Sequence, residues 1–475
     1  MPKSSIICYQ KILLVFILVM SHSLLKANIS MSDVFADGMV LQQKAEITLW
    51  GWGKPGEKIQ VIVPWLDSTR TTTASNQGTW SVALLTPEAG KPFDLTIKGY
   101  NEVVFHNVVL GEVWLCAGQS NMEWTPRMGI NDAEEAIAAA NYPDIRFFRV
   151  HHRTAMAPQE DLGGEWVSCT PETMKNSSAI AYFFAQKLHQ EIKVPIGLID
   201  ASWGGTPVEI WMAAKVIESD EVFAKSAATL KPVPWGPVEP GRAYNAMIAP
   251  LTRYRIAGAI WYQGESNVGN AITYKDMFTA MISSWRQERG YDFPFYFAQI
   301  APYKYGEGFG GAMLRDAQRK SLELHGTGMV VTSDIGNIED IHPRNKKDVG
   351  LRFALLALTS HYKVLKAESS GPLYRGYSTL QNKITVYFDH AEGLNARGGK
   401  PTHFEIAGED QVFRPAEAEI KGQNIVLSSK EVKSPVAVRF GWSNTAEPNL
   451  FNAAGLPASC FHSEPHQLLK NERMD

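Results

Sequence analysis

Cysteine is scarce in this chain: four of 475 residues, of which Cys8 precedes an N-terminal apolar run, leaving Cys116, Cys169 and Cys460. Three thiols cannot all pair and no C-x-x-C spacing occurs, so neither a disulfide framework nor a zinc site is indicated. Cys116 stands inside an apolar run and reads as a small buried residue. Charge of one sign is also lacking. A net charge of −3 gives no electrostatic reason to expect nucleic acid or an anionic membrane as partner. Beyond residue 20 no apolar stretch is long enough to span a bilayer, so no membrane insertion is expected once a leader is removed. The G-x-S-x-G elbow of α/β-hydrolases is missing too, because Gly118-Gln119-Ser120-Asn121-Met122 lacks the second glycine.

At 45% hydrophobic and 20% charged, the composition is that of a globular protein, and the length calls for two or three structural units. Lys3 and Lys11 precede the run "ILLVFILVM" (12–20), which is followed by small and polar residues up to Ala27. The run is too short for a permanent membrane helix and suits a signal peptide over 1–27, which predicts export to the periplasm or medium. The 13 Trp and 16 Tyr serve equally as core filler and as flat surfaces for sugars.

Residues 28–110 read as a small β-sandwich: short runs such as "EITLWGWG", "KIQVIV" and "TWSVALL" are separated by Gly- and Pro-containing turns. Over 111–363 the character changes. Fully apolar runs precede Ser120, Trp203, Gly264, Ala301 and Asp334, and between them Ile180, Phe183, Phe184 and Leu188 share a helical face. The segments "YKDMFTAMISSW" and "MLRDAQRKSLEL" have similar spacing. Such alternation predicts an α/β domain with a parallel sheet covered by helices on both sides, its ligand site at the carboxyl ends of the strands. Over 364–475 the strand signature returns, giving a second β-rich module. The Pro-rich piece "KPVPWGPVEPG" (231–241) reads as a stiff loop near the site.

Two G-x-S-N segments, "GQSN" and "GESN", offer Ser120 and Ser266 as nucleophiles. A serine hydroxyl needs a base, usually a histidine held by a carboxylate. His342 in "SDIGNIEDIHPRNK" follows the last apolar strand, with Asp340 and Glu339 just upstream. Ser120 follows the first strand of the α/β unit, an order that suits a nucleophile and base meeting at one rim. Ser266, between Glu265 and Asn267, lies in a loop better suited to binding.

The ordered blocks "GQSNMEW", "SWGGTPVEIW", "YNAMIAPL", "WYQGESN" and "DIHP" resemble those of the sialate O-acetylesterase family, a branch of the SGNH (GDSL-like) hydrolases related to acetylxylan esterases. "FADGMVLQQ" and "NLFNAAGLPAS" extend the likeness over nearly the whole mature chain. The resemblance implies an SGNH-like three-layer α/β/α domain flanked by β-sandwich-like modules, acting on O-acetylated carbohydrate without metal or organic cofactor. It implies Ser120 as nucleophile, His342 as base and Asp340 as its orienting acid, with Glu339, Asp334 or a Ser–His dyad as the other arrangements. Oxyanion donors would be the N–H groups of Ser120 and Gly205 and a side-chain amide from Asn267 or Gln263. Gln119, Trp203 and Glu265 are the candidate substrate contacts. On this reading the substrate is 9-O-acetylated sialic acid, with acetylxylan or another plant glycan as the alternative; a non-catalytic carbohydrate-binding protein is the reading from another class.

Overall fold

The structure, a computed structural model, describes residues 28–463. The leader read at 1–27 lies outside the described residues. Among these residues no helix is long and apolar enough to cross a membrane.

The centre is a seven-strand path in the order Trp166–Cys169, Tyr142–Arg149, Ile196–Ser202, Glu102–Gly118, Gly258–Tyr262, Phe295–Ala298 and Thr327–Val330. All neighbours are parallel except the first pair, which is antiparallel. Every residue of Ile196–Ser202, Gly258–Tyr262 and Phe295–Ala298 is buried. A strand covered on both faces cannot alternate polar and apolar residues, hence the unbroken apolar runs. Alternate residues of Glu102–Gly118 enter different cores: Leu115 and Ala117 face one side, with Met277 and Phe278 of the helix Ala271–Arg289. Trp114 and Cys116 face the other, with Ile180 and Phe183 of Ala179–Ile192 and Phe353 of Lys346–Leu356. The sheet therefore lies between two helical layers, the three-layer α/β/α arrangement expected. Burying one such large apolar side chain contributes roughly 1.5–3 kcal/mol.

Helix boundaries follow local chemistry. Ser178 caps Ala179–Ile192 through its hydroxyl, which accepts the Ala181 N–H at 3.2 Å, and Lys193 closes the helix at a φ of 58°. Gly290, with a φ of 74°, ends Ala271–Arg289.

The N-terminal region forms two antiparallel layers. One contains Ser30–Met31, Glu46–Trp52 and Thr79–Leu85; the other contains Arg70–Thr73, Lys58–Ile62 and Phe93–Lys98, which pairs with Glu102–Gly118. Here Lys58–Ile62 alternates exposed and buried residues, as a half-covered strand should. Glu102–Gly118 is one strand of 17 residues that leaves this module and enters the central sheet. The change of character read at residue 110 thus falls inside a continuous strand.

Two four-stranded antiparallel sheets over residues 373–462 enclose a separate core that includes Ile384, Val386, Ile425 and Phe440. This module is tied to the centre by polar bonds: Ser459 Oγ accepts from Gln299 Nε2 at 2.8 Å, and Asn444 Oδ1 accepts the Gly311 N–H at 2.8 Å.

Candidate active site

Gly118 pairs across the sheet with both Ser202 and Tyr262, so three loops leave the sheet at one level. Gly118 has a φ of 135°, and a Cβ there would lie 2.2 Å from the Tyr262 carbonyl oxygen. Only glycine permits this approach and turn. Two residues later Ser120 opens the short helix Ser120–Glu123, where the Gln119 carbonyl accepts the N–H groups of Met122 and Glu123 while those of Ser120 and Asn121 have no intrahelical acceptor.

Ser120 Oγ and His342 Nε2 are 2.9 Å apart, although 222 positions separate them in sequence. The His342 imidazole stacks on Trp124, with centroids 4.2 Å apart. Burial, reinforced by the Lys346 ammonium and opposed by Asp340, holds His342 below its ordinary value. The imidazole is therefore neutral, and able to accept a proton, to a lower pH than a free histidine.

The three carboxylates near this motif are placed differently. Asp340 Oδ1 is 3.8 Å from His342 Nδ1 and accepts the His342 backbone N–H at 2.9 Å, while its side chain is 44% exposed. Glu339 pairs with Lys304 at the surface. Asp334 makes a two-point pair with Arg352, at 2.8 and 2.6 Å, and is spent on that guanidinium. Asp340 is thus the carboxylate at the imidazole, at ion-pair rather than hydrogen-bond range.

The N–H groups of the Gln263 and Asn267 amides are engaged within the loop network. Gln263 Nε2 donates to Thr206 O at 3.1 Å and to Asn267 Oδ1 at 2.7 Å; Asn267 Nδ2 donates to Glu209 Oε2 at 2.8 Å and to Asn270 Oδ1 at 3.1 Å. Both are buried, and their N–H groups serve a network under the loop. Gln119 lines the cavity instead, its Oε1 accepting the N–H groups of Gly264 and Ser266 at 3.4 Å each. Ser266 also lines the cavity but has no histidine partner among the described residues.

In the Trp203–Gly204–Gly205 turn, Gly204 donates its N–H to Glu123 Oε2 at 2.8 Å. Gly205 has a φ of 71°, a Cβ there would fall 2.3 Å from the Trp235 ring, and its N–H has no acceptor among the described residues. Trp203 stacks on His152 with centroids 4.4 Å apart and donates its indole N–H to Trp235 O at 3.1 Å.

Behind the hydroxyl, Asn121 bridges two buried charges. Its Nδ2 donates to Glu265 Oε1 at 2.6 Å and to Ile341 O at 3.0 Å, while its Oδ1 accepts from Lys346 Nζ. Burial pushes the Lys346 ammonium down to about 7 against the pull of Glu265 and Asp340, and burial raises Glu265. Sequence reading passed over Lys346, Glu123 and His152; "HPRNK" and "GQSNMEW" contain two of them, but nothing in either string marks a buried charge.

Ser120, His342, Glu123 and His152 border a cavity of about 780 Å³, walled by Trp124, Trp203 and Pro207 and, from the Pro-rich loop region, by Val233, Trp235 and Val238. An aromatic wall beside a hydroxyl–imidazole pair suits an ester carried on a sugar ring.

A family model described as carbohydrate esterase, sialic acid-specific acetylesterase, matches residues 110–358. The class is accordingly that of a carbohydrate ester hydrolase. The chain belongs to this sialic acid-specific acetylesterase family. It is 30% identical to the sialate O-acetylesterase of Homo sapiens over 78% of each chain, and 29% identical to that of Pongo abelii over 85% of this chain and 86% of the relative. Among solved structures, a carbohydrate acetylesterase from Xanthomonas citri superposes with a TM-score of 0.84 at 38% identity, covering 92% of this chain and 100% of the other.

Proposed function

We propose that the chain is an exported serine esterase that removes O-acetyl groups from sugars through an acetyl-Ser120 intermediate. The 2.9 Å contact between Ser120 Oγ and His342 Nε2, both of which line the cavity, carries this reading. His342 Nε2 takes the Ser120 proton as Oγ bonds to the acetyl carbon. The charge on the carbonyl oxygen is met by the N–H groups of Ser120 and Gly205, with the Gln119 amide as the side chain at hand. The bond to the sugar oxygen then breaks and His342 returns its proton to that oxygen. Water, losing a proton to His342, attacks the acetyl carbon and releases acetate and the free serine. Asp340 steadies the imidazolium at ion-pair range.

The substrate proposed first is 9-O-acetylated sialic acid, in line with the names of the relatives. An acetylated neutral glycan such as acetylxylan is the second reading, favoured by the wall itself. Besides His342, the described lining residues with a basic side chain for a sugar carboxylate are Lys231 and His152, whereas Trp124, Trp203 and Trp235 offer flat apolar faces. Export follows from the leader read at 1–27. Labelling the purified protein with a fluorophosphonate and mapping the modified peptide tests the mechanism: modification is expected at Ser120, and its absence there removes the serine reading. Acetate release from O-acetylated sialic acid compared with acetylxylan separates the two substrates.

A further inference from the structure

We infer that Glu123 is a positioning residue: it clamps the Trp203–Gly204–Gly205 turn so that the Gly205 N–H meets the oxyanion. This rests on the reading of Ser120 as nucleophile and Gly205 as donor. Glu123 stands three residues after Ser120, on the same helical turn, and bridges that turn to the loop opposite. Its Oε2 accepts the Gly204 N–H at 2.8 Å. Its Oε1 is held by Arg149 Nη2 at 3.2 Å and by His152 Nε2 at 3.1 Å. The turn is gripped from the other side as well, because His152 Nε2 lies 3.0 Å from Ser202 O and its ring stacks on Trp203 at an interplanar angle of 2°. Gly204 packs directly on the serine: a Cβ there would sit 3.2 Å from Ser120 Cβ. Residues 202–204 are thus fixed through two backbone groups and one side chain, and the next N–H along is that of Gly205.

The surrounding charges explain how a carboxylate is tolerated beside a site where negative charge develops. The Glu123 side chain is 16% exposed, and desolvation alone would favour its neutral form. Burial works in that direction, but the hydrogen bond and charge of His152, the Gly204 N–H and Arg149 hold Glu123 below the usual carboxylate range. Burial likewise opposes the charged form of His152, yet the hydrogen bond and charge of Glu123 lift it above its ordinary value. Asp200, buried on the neighbouring strand and pushed up to about 6 by burial, is the remaining titratable group of the cluster; its carboxylate is hydrogen-bonded by Ser202 Oγ. Arg149 and His152 therefore offset the Glu123 charge and leave its hydrogen-bond geometry to act on the turn.

The test compares Glu123→Gln, whose amide oxygen still accepts the Gly204 N–H, with Glu123→Met, which keeps the volume but cannot. In the full chain, kcat and KM for an activated acetyl ester are measured with the rate of fluorophosphonate labelling of Ser120. The expected result is a fall in kcat of at least about tenfold for Glu123→Met, with KM changed less than about twofold, slowed labelling, and recovery of most of the loss in Glu123→Gln. Wild-type rates in both variants overturn the inference, as do equal losses in both accompanied by equal losses of thermal stability. If Glu123→Met does not fold, Arg149→Met serves, since Arg149 is 52% exposed; a several-fold fall in kcat at unchanged melting temperature is expected, and an unchanged kcat overturns the role. Failure of wild-type Ser120 to label would instead bring down the serine reading itself, so the two failures are distinguishable.

Discussion

The Trp124 indole lies on the His342 imidazole, ring planes 19° from parallel, and the buried Lys346 ammonium sits 5.6 Å from the centre of the same indole. A cation and the base thus share one aromatic neighbour. Burial first, and the nearby Lys346 charge after it, make imidazolium harder to form at His342, so the acid limb of kcat/KM is expected below the ordinary histidine value of 6.5. Lys346→Met removes the charge, and the limb should move to higher pH. A pH–rate profile of the two proteins checks it; no shift, or a shift to lower pH, contradicts the assignment.

Ser120→Ala should abolish hydrolysis of an activated acetyl ester, with a loss on the order of 10⁴-fold or more in kcat and an unchanged circular dichroism spectrum. Ser266→Ala should keep acyl-enzyme formation, because the Ser266 contact with the site is a backbone N–H to Gln119 Oε1. Rapid-quench measurement of the acyl-enzyme separates the two, and equal losses would contradict the choice of serine.

Asp340→Asn is expected to lower kcat/KM only about tenfold, far short of the roughly 10⁴-fold effect of removing a buried triad carboxylate. The reason is its 3.8 Å separation from Nδ1 together with its exposure. Asp334→Asn should act elsewhere, lowering the melting temperature by removing the charge that pairs with Arg352, which keeps its bond to the Val331 carbonyl, while kcat is nearly retained. Steady-state kinetics and thermal melts on the pair discriminate between them.

Gly205→Ala should cost about 10²–10³-fold in kcat, the scale for losing one oxyanion donor. A methyl group at this positive φ strains the turn and drives into the Trp235 ring. Trp235→Ala, which removes the obstacle, should restore part of the loss in the double variant, as a double-mutant cycle would show.

How much of this was legible in the sequence depended on what each residue buries. Ile196–Ser202 and Gly258–Tyr262 stood out because strands covered on both faces have no polar face to interrupt them. Tyr142–Arg149 escaped notice: Arg146 interrupts its pattern, yet it is buried, its guanidinium bonded to the carbonyls of Gly38 and Asn107. Lys346–Leu356 escaped for a similar reason, since a helix that begins with two lysines does not announce that the first is interior. At the site, the serine and histidine were readable as ordered motifs. The direction of an amide is not written in its letter, and so Gln263 and Asn267 looked like ligand-facing groups although they hold the loop from beneath.

The strand Glu102–Gly118 spans about 53 Å at 3.3 Å per residue and ends two residues short of the serine. The N-terminal module therefore acts as the far end of a ruler whose near end sets the position of the Ser120 hydroxyl. Cutting the chain at residue 110 would remove the first nine residues of that ruler together with the strands that hold them, while the remainder keeps its neighbours in the central sheet. Inactivation by truncation would then report a loosened support, even with every reacting group still present.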